Sequence, residues 1–439
     1  MAVSAGRDIK KIDYAVKGTA VLGTVLPEKR NEAMVFSGDN LNQMPVGTYE
    51  ITLSVYTEAQ PEVPVSQTVS FKVLPPVRTV TVGTVSNGMV TVSTKSGALG
   101  TNVTVTATPD PGFALKEILV DGNPISGKTF TISQDHVVTA VFEQVIIGLT
   151  TTLGNSLSVD FMIDVSKLTG ADNYAQITKY YADGRAPVVV KIPQKDWVLY
   201  SEKTPNYYYA SFTGVCAKEM SDNFDVVIFD GSGHAVTTGK TDSLCDYAMR
   251  MLARDDVIQK TELRTVYVDM LNYGAQAQLE FKYNTGKLAN RLLSAQQQQY
   301  ATESVAAQSN AEKSGWIVGT SLTLEHQIVL DFIIADSMVD SYEGMYAVAT
   351  YTDHYGHEKQ VQVNEVERFN ASHHQVSVSG MAIADFRQMV TLVLYNSQGQ
   401  EVGRSTDSVE GYVARMESRI GEIGQAILKF GQSSYSYFH

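Results

Sequence analysis

Apolar residues alternate with polar ones over much of the chain, the period of half-buried strands. In Gly47–Tyr56 the residues Tyr49, Ile51, Leu53 and Val55 fall on one face, and Val69, Phe71 and Val73 repeat the pattern before Pro75-Pro76. The segment between them, Gln60-Pro61-Glu62-Val63-Pro64, predicts a Pro-rich turn, so residues 1–76 read as a small β-module closed by a hairpin. Short alternating runs continue through 77–145: Val90/Val92, Val103/Val105/Ala107, Ile118/Val120, Phe130/Ile132 and Val138/Ala140/Phe142. Pro109-Asp110-Pro111-Gly112 and Asp121-Gly122 divide them, and both are turn sequences because Gly accepts positive φ.

The remainder repeats itself. LSVDFMID (Leu157–Asp164) answers IVLDFIIA (Ile328–Ala335), and Phe224–Phe229 answers Val390–Tyr395. Thr241-Asp242-Ser243 answers Thr406-Asp407-Ser408, Tyr247–Met251 answers Tyr412–Met416, and Met270–Gly274 answers Ile427–Gly431. Order is kept throughout, which predicts two copies of one domain, 146–290 and 315–439. Each copy reads strands first, then helices. Ser243-x-x-Asp246 is a capping box, and Leu263, Val266, Tyr267, Met270, Leu271 and Gly274 form one helical stripe. In the second copy the two helical motifs lie closer together, and Asp385-Phe386-Arg387 replaces Glu219-Met220-Ser221, so that copy reads as degenerate. Residues 291–314, with Gln296–Gln299 and Ala306-Ala307-Gln308, read as a linker with some helical propensity. The fold class expected is multi-domain and β-rich: two small all-β modules followed by two related α+β domains, each a β-sandwich-like body with two helices.

The 70 residues around NGMVTVS, GTNVTVTATPDPGF, VDG and VTAVFE resemble the divergent internalin-type β-repeat of bacterial surface proteins. The hairpin ending at Val73 resembles the last strands of a bacterial immunoglobulin-like module. The strings VCAKEMSDNFDVVIFD, YAMRML and MLNYGAQAQLEFKYNTGKLAN resemble a domain that accompanies such modules in large surface proteins of gut Firmicutes. These resemblances imply a Gram-positive, extracellular, cell-surface location, with this chain a fragment of a longer one because neither signal nor anchor is visible in it. They carry over no catalytic residue.

Composition narrows the chemistry. Lys and Arg number 34 against 47 Asp and Glu, a net charge of −13, which argues against nucleic acid and anionic membranes as partners. No apolar run is long enough to insert in a membrane. Two cysteines cannot make a disulfide framework, and Cys216 and Cys245 read as buried thiols or one local staple. Gly233…Gly239-Lys240-Thr241 has five residues between its glycines where a phosphate loop has four, and reads as a hairpin turn before a helix. His354-x-x-His357 on a turn facing a nearby strand could hold a metal together with one of His373 and His374, but the first copy has Ala182-Asp183-Gly184-Arg185 at the matching turn, so the four read as solvated imidazoles and neither metal nor cofactor is expected. Asp160 and Asp331 match between copies and read as outward residues of apolar strands.

Tyrosine is in excess, 23 against 15 Phe. Tyr207, Tyr208 and Tyr209 are consecutive, and Tyr180 and Tyr181 form a second group. In a strand Tyr207 and Tyr209 share one face, and tyrosine gives large contact area at small entropic cost. These five are the candidate ligand-binding residues, and no catalytic set accompanies them. The reading is a non-enzymatic, adhesin-like segment that binds a host protein or glycan: a glycoprotein, a mucin or an immunoglobulin. The alternatives are a structural stalk and an accessory module of a secreted glycan-degrading enzyme.

Overall fold

The computed structural model describes residues 9–18, 22–25, 44–153, 156–324 and 327–439. The chain divides into two compact units, one comprising residues 1–85, 90–107 and 117–140 and the other 86–89, 108–116 and 141–439.

An antiparallel sheet in the order Leu22–Val25, Ile9–Val16, Gly47–Thr57, Gln60–Val73 opens the first unit. The hairpin turns at residues 58 and 59, since Thr57 pairs with Gln60 and Val55 with Val65. The Pro-rich segment 60–64 is therefore strand rather than turn, a correction to the sequence reading. Gln60–Val73 lies at the sheet edge. Proline lacks only a ladder donor, and an edge strand has one side on which that donor is not required.

The β-repeat forms a five-stranded sheet and a three-stranded sheet. The first runs in the order Asn123–Pro124, Phe113–Val120, His136–Gln144, Val77–Val82, Ser96–Ala98, and the second Thr129–Thr131, Asn102–Pro109, Gly88–Val92. Val90, Val103, Val105, Ile118, Ile132 and Val138 are buried, as their alternation predicts. Asp121 and Gly122 both take positive φ (53° and 79°), the conformation of the tight turn their sequence favours. Asp121 also accepts from the Val137 N–H and pairs with His136 Nδ1, both at 2.8 Å, which fastens the turn to the closing strand.

In the second unit, two sheet pairs share one topology. The first pair has the orders Ile146–Thr150, Leu157–Asp164, Thr204–Val215, Val198–Ser201 and Val188–Pro193, Tyr174–Tyr180, Asn223–Phe229, Lys240–Asp242. The second has Ile317–Leu324, Ile328–Ala335, His373–Val378, Glu367–Asn370 and Glu358–Val363, Tyr346–Thr352, Val390–Tyr395, Glu401–Asp407, with Glu312–Gly315 added at the edge. Alternate residues Val159, Phe161 and Ile163, and likewise Leu330, Phe332 and Ile334, fill the sheet interiors with no exposed surface.

Helices follow each pair: α1 (Leu244–Leu252), α2 (Asp255–Ile258) and α3 (Thr261–Glu280) after the first, α4 (Ala295–Gln298) in the connection, and α5 (Val409–Phe438) after the second. Ser243 caps α1 by accepting from Asp246 N at 3.0 Å, and its hydroxyl donates to the Asp246 carboxylate. Ser408 caps α5 the same way, through Gly411 N. Immediately before each cap an aspartate receives a forked Arg: Asp242 from Arg250 and Asp407 from Arg415. Gly421 breaks the helical geometry inside α5 at φ 30°, so the two predicted helical motifs survive as halves of one kinked helix.

The helices of both pairs share one core. Met270, Leu271 and Tyr273 of α3 belong to the same buried cluster as Ile423, Ile427 and Phe430 of α5. Within segment 291–314, residues 300–307 dock on this core. Val305 is buried, Tyr300, Ala301 and Ala307 pack against the cluster, and Thr302 donates from its N–H and hydroxyl to Asp269 at 3.1 and 2.5 Å.

Candidate ligand-binding surfaces

Tyr207, Tyr208 and Tyr209 lie in Thr204–Val215, paired with Asp164, Ile163 and Met162 respectively. Tyr208 packs toward the core with buried Ala210 and Phe212, which turns Tyr207 and Tyr209 to the outer face. All three are half-buried. Burial and the nearby Asp160 charge raise the Tyr209 phenol above its ordinary range. Tyr180 ends Tyr174–Tyr180 in the other sheet of the pair, and Tyr181 follows it just outside the strand. Tyr180 is 46% exposed. Tyr181 is held between two cations, 4.5 Å from Lys179 Nζ and 4.0 Å from the Arg185 guanidinium. The five candidates thus divide between two sheets and two environments.

Asp160 and Asp331 sit on the outer side of their strands, as their alternation predicts, yet each is covered there and only 1% exposed. Thr152 and Ser158 donate to Asp160 Oδ2 at 2.8 and 2.9 Å, while Oδ1 has no hydrogen-bond partner. In the second pair Thr323 and Ser377 donate to Asp331, one to each oxygen, both at 2.7 Å. Burial raises the Asp331 carboxyl.

A more concentrated polar group lies where the middle strand of each second sheet meets a 3-10 turn. In the first pair, Lys179 and Glu219 form an ion pair with side chains 2% and 3% exposed, and Arg185 reaches the other Glu219 oxygen at 3.2 Å. Burial works to raise Glu219, but the Lys179 ammonium outweighs it and holds the carboxyl low. Beside it, Asp222 is pushed up to about 6 by burial, against the donated Tyr283 hydroxyl at 2.7 Å.

At the corresponding place in the second pair, Asp385 replaces Glu219. Its Oδ1 meets His354 Nδ1 at 2.6 Å and accepts from the His354 N–H at 2.7 Å. His354 is only 9% exposed, not the solvated imidazole its sequence context predicts. Its Nε2 is buried without a hydrogen-bond partner. His357 instead reaches Asp353 at 3.4 Å, joined there by Lys359 at 3.2 Å. Burial would raise Asp353, but the His357 N–H and the Lys359 ammonium hold it at about 2. His373 bonds to Ser372 and Asn370, and His374 to Asp336 at 2.8 Å, so the four histidines do not converge. Among the described residues no cluster of three or more metal-ligating side chains is present.

A cleft of about 740 Å³ opens above His354. Its walls come from both pairs: Thr151–Leu153, Leu263 and Tyr267 on one side, and the Tyr351–Lys359 turn with Tyr437 and Phe438 of α5 on the other. Sequence reasoning missed it because His354 and Asp385 are 31 positions apart on different elements. The signal available was their joint change, Ala182 to His354 and Glu219 to Asp385, at matching places.

Cys216 and Cys245 are buried thiols not joined to each other, and burial pushes both up to about 12. The glycine-rich run before Thr241 is a hairpin: Gly233 takes φ 83° in a turn closed onto Asp230, and Lys240 donates to the Ile147 carbonyl.

Residues 78–146 match the model of the divergent InlB B-repeat domain. No curated protein sequence matches the chain. Among solved structures, one similar chain is described as "Structural insight into host cell surface retention of a 1.5-MDa bacterial ice-binding adhesin". It shares 9% identity, and the alignment covers 55% of this chain and 87% of that one at a TM-score of 0.17, too low to bear on architecture or role. No helix among the described residues is long and apolar enough to cross a membrane.

Proposed function

We propose that the chain is a non-catalytic, ligand-binding segment of an extracellular bacterial surface protein, in which the β-repeat presents two copies of one α+β domain to a host glycoprotein, mucin or immunoglobulin. The domains are 1–76, 77–145, 146–290 and 315–439, with 291–314 between the copies. The observation that carries this reading is the B-repeat at 78–146 leading directly into two sheet pairs of the same strand order. Repetition of a folded unit behind a spacer module serves binding by raising effective concentration. The contact surface is the outer face of the first copy, with Tyr207 and Tyr209 backed by Tyr208, and Tyr180 and Tyr181 offer a second, separate patch at the end of Tyr174–Tyr180 in the other sheet. Pull-down from serum and mucus with the whole chain tests it. Tyr207→Ala with Tyr209→Ala is expected to abolish capture without changing the thermal unfolding profile. A chain that captures no host component is a stalk, and hydrolysis of a glycan by the purified chain marks an enzyme accessory; either result overturns the proposal.

A further inference from the structure

The geometry points to the cleft over His354 as a binding site for a neutral oligosaccharide, built jointly by the two copies. Its volume, about 740 Å³, lies within the usual range of small-ligand sites. At its mouth, Tyr355 and Tyr437 are 56% and 43% exposed. Phe438 sits between them, with ring centroids 6.0 and 5.3 Å away. Rings left this open next to a concave surface supply apolar faces for the C–H faces of pyranose rings, while their hydroxyls remain available to bond.

The charges in the cleft select against ions. Lys359 and His357 both converge on Asp353, so the ammonium and the carboxylate neutralise one another, and a charged ligand would be desolvated with little return. Deeper in, Asp385 fixes the His354 ring through Nδ1. With the proton on Nδ1, facing the Asp385 carboxylate, the ring leaves Nε2 buried and unmet by the protein, and a buried polar atom in that state calls for a partner such as a sugar hydroxyl. The first copy contributes Leu263 and Tyr267 to the opposite wall, so the site exists only when both copies are present. In the first copy, Ala182 and the Lys179–Glu219 pair occupy the equivalent place, and the buried imidazole nitrogen has no counterpart there.

Calorimetric titration of the whole chain with lactose, N,N′-diacetylchitobiose and maltotriose tests the assignment, with 3′-sialyllactose as the charged control. Saturable binding of at least one neutral sugar is expected. Tyr355→Ala and Tyr437→Ala should each weaken it about tenfold, with thermal unfolding unchanged because both rings are exposed. The inference is overturned if none of the three neutral sugars binds saturably, if both substitutions leave binding intact, or if the charged sugar binds better than lactose. The site is separate from the Tyr207 face, so a failure here leaves the host-ligand reading standing, and the reverse also holds.

Discussion

Glu219 and Asp385 hold the same place in the two copies and answer different partners. Each ends a 3-10 turn and accepts from the backbone N–H that opens it, at 3.4 Å from Cys216 N and 2.9 Å from Ala382 N. The remaining acceptor capacity goes to Lys179 and Arg185 in the first copy and to His354 in the second. The shared part closes the turn on itself, and the divergent part sets which side chains each turn is tied to.

Removing Lys179 from its buried pair leaves the Glu219 charge enclosed in the core, with the half-exposed Arg185 as its remaining cation. Lys179→Met is expected to destabilise the second unit by about 3–5 kcal/mol. Adding Glu219→Met should recover most of that loss, because two apolar side chains replace two desolvated charges. Denaturant unfolding of the single and double variants checks both values.

Asp222 gives a pH signature. Its folded value of about 6 lies above the ordinary aspartate range, so the folded state binds this proton more tightly than the unfolded chain does. Its contribution to stability is full in acid, falls as pH rises, and is gone above about pH 6. From about pH 3 to about pH 7 the parent chain should therefore lose up to about 3 kcal/mol relative to Asp222→Asn. Parallel unfolding curves across that range provide the measurement.

Gly274 and Gly431 match between copies because a helix passes close to the 3-10 turn at each. A Cβ at Gly431 would stand 2.7 Å from two ring carbons of Phe386, and one at Gly274 would stand 2.7 Å from Met220 Sδ. A thioether can swing away and a buried phenyl ring cannot. Gly431→Ala should cost about 1–3 kcal/mol, and Gly274→Ala distinctly less, as read from thermal unfolding of the two variants.

The docked segment 300–307 should behave as part of the body. Asp269→Ala removes the acceptor of both Thr302 bonds. The variant should show faster amide exchange at Thr302 and new protease cleavage within residues 303–311, where the parent chain resists both.

Elements set by local pattern were legible in the sequence. Period-2 alternation marked Leu157–Asp164, Asp121-Gly122 marked its turn, and Ser243 with Asp246 marked the start of α1. The hairpin turn was misplaced because proline signals a turn only where its missing donor matters, and on the edge strand Gln60–Val73 it does not. His354 was read as solvated because its neighbours Asp353, Tyr355 and Gly356 are turn residues. Burial came from Asp385 and Phe438, which no local rule connects to it. The cleft needed both copies in their folded arrangement, which lies beyond any reading of one segment.

The common core of α3 and α5 also has a mechanical meaning. Tandem surface domains joined by slack tethers extend one at a time under tension, each with its own rupture. Here Met270 and Tyr273 of one copy lean on Ile427 and Phe430 of the other, so removing either helix strips apolar cover from its neighbour. Tension drawn through this part of the chain is expected to meet a single load-sharing body, with the two copies giving way together.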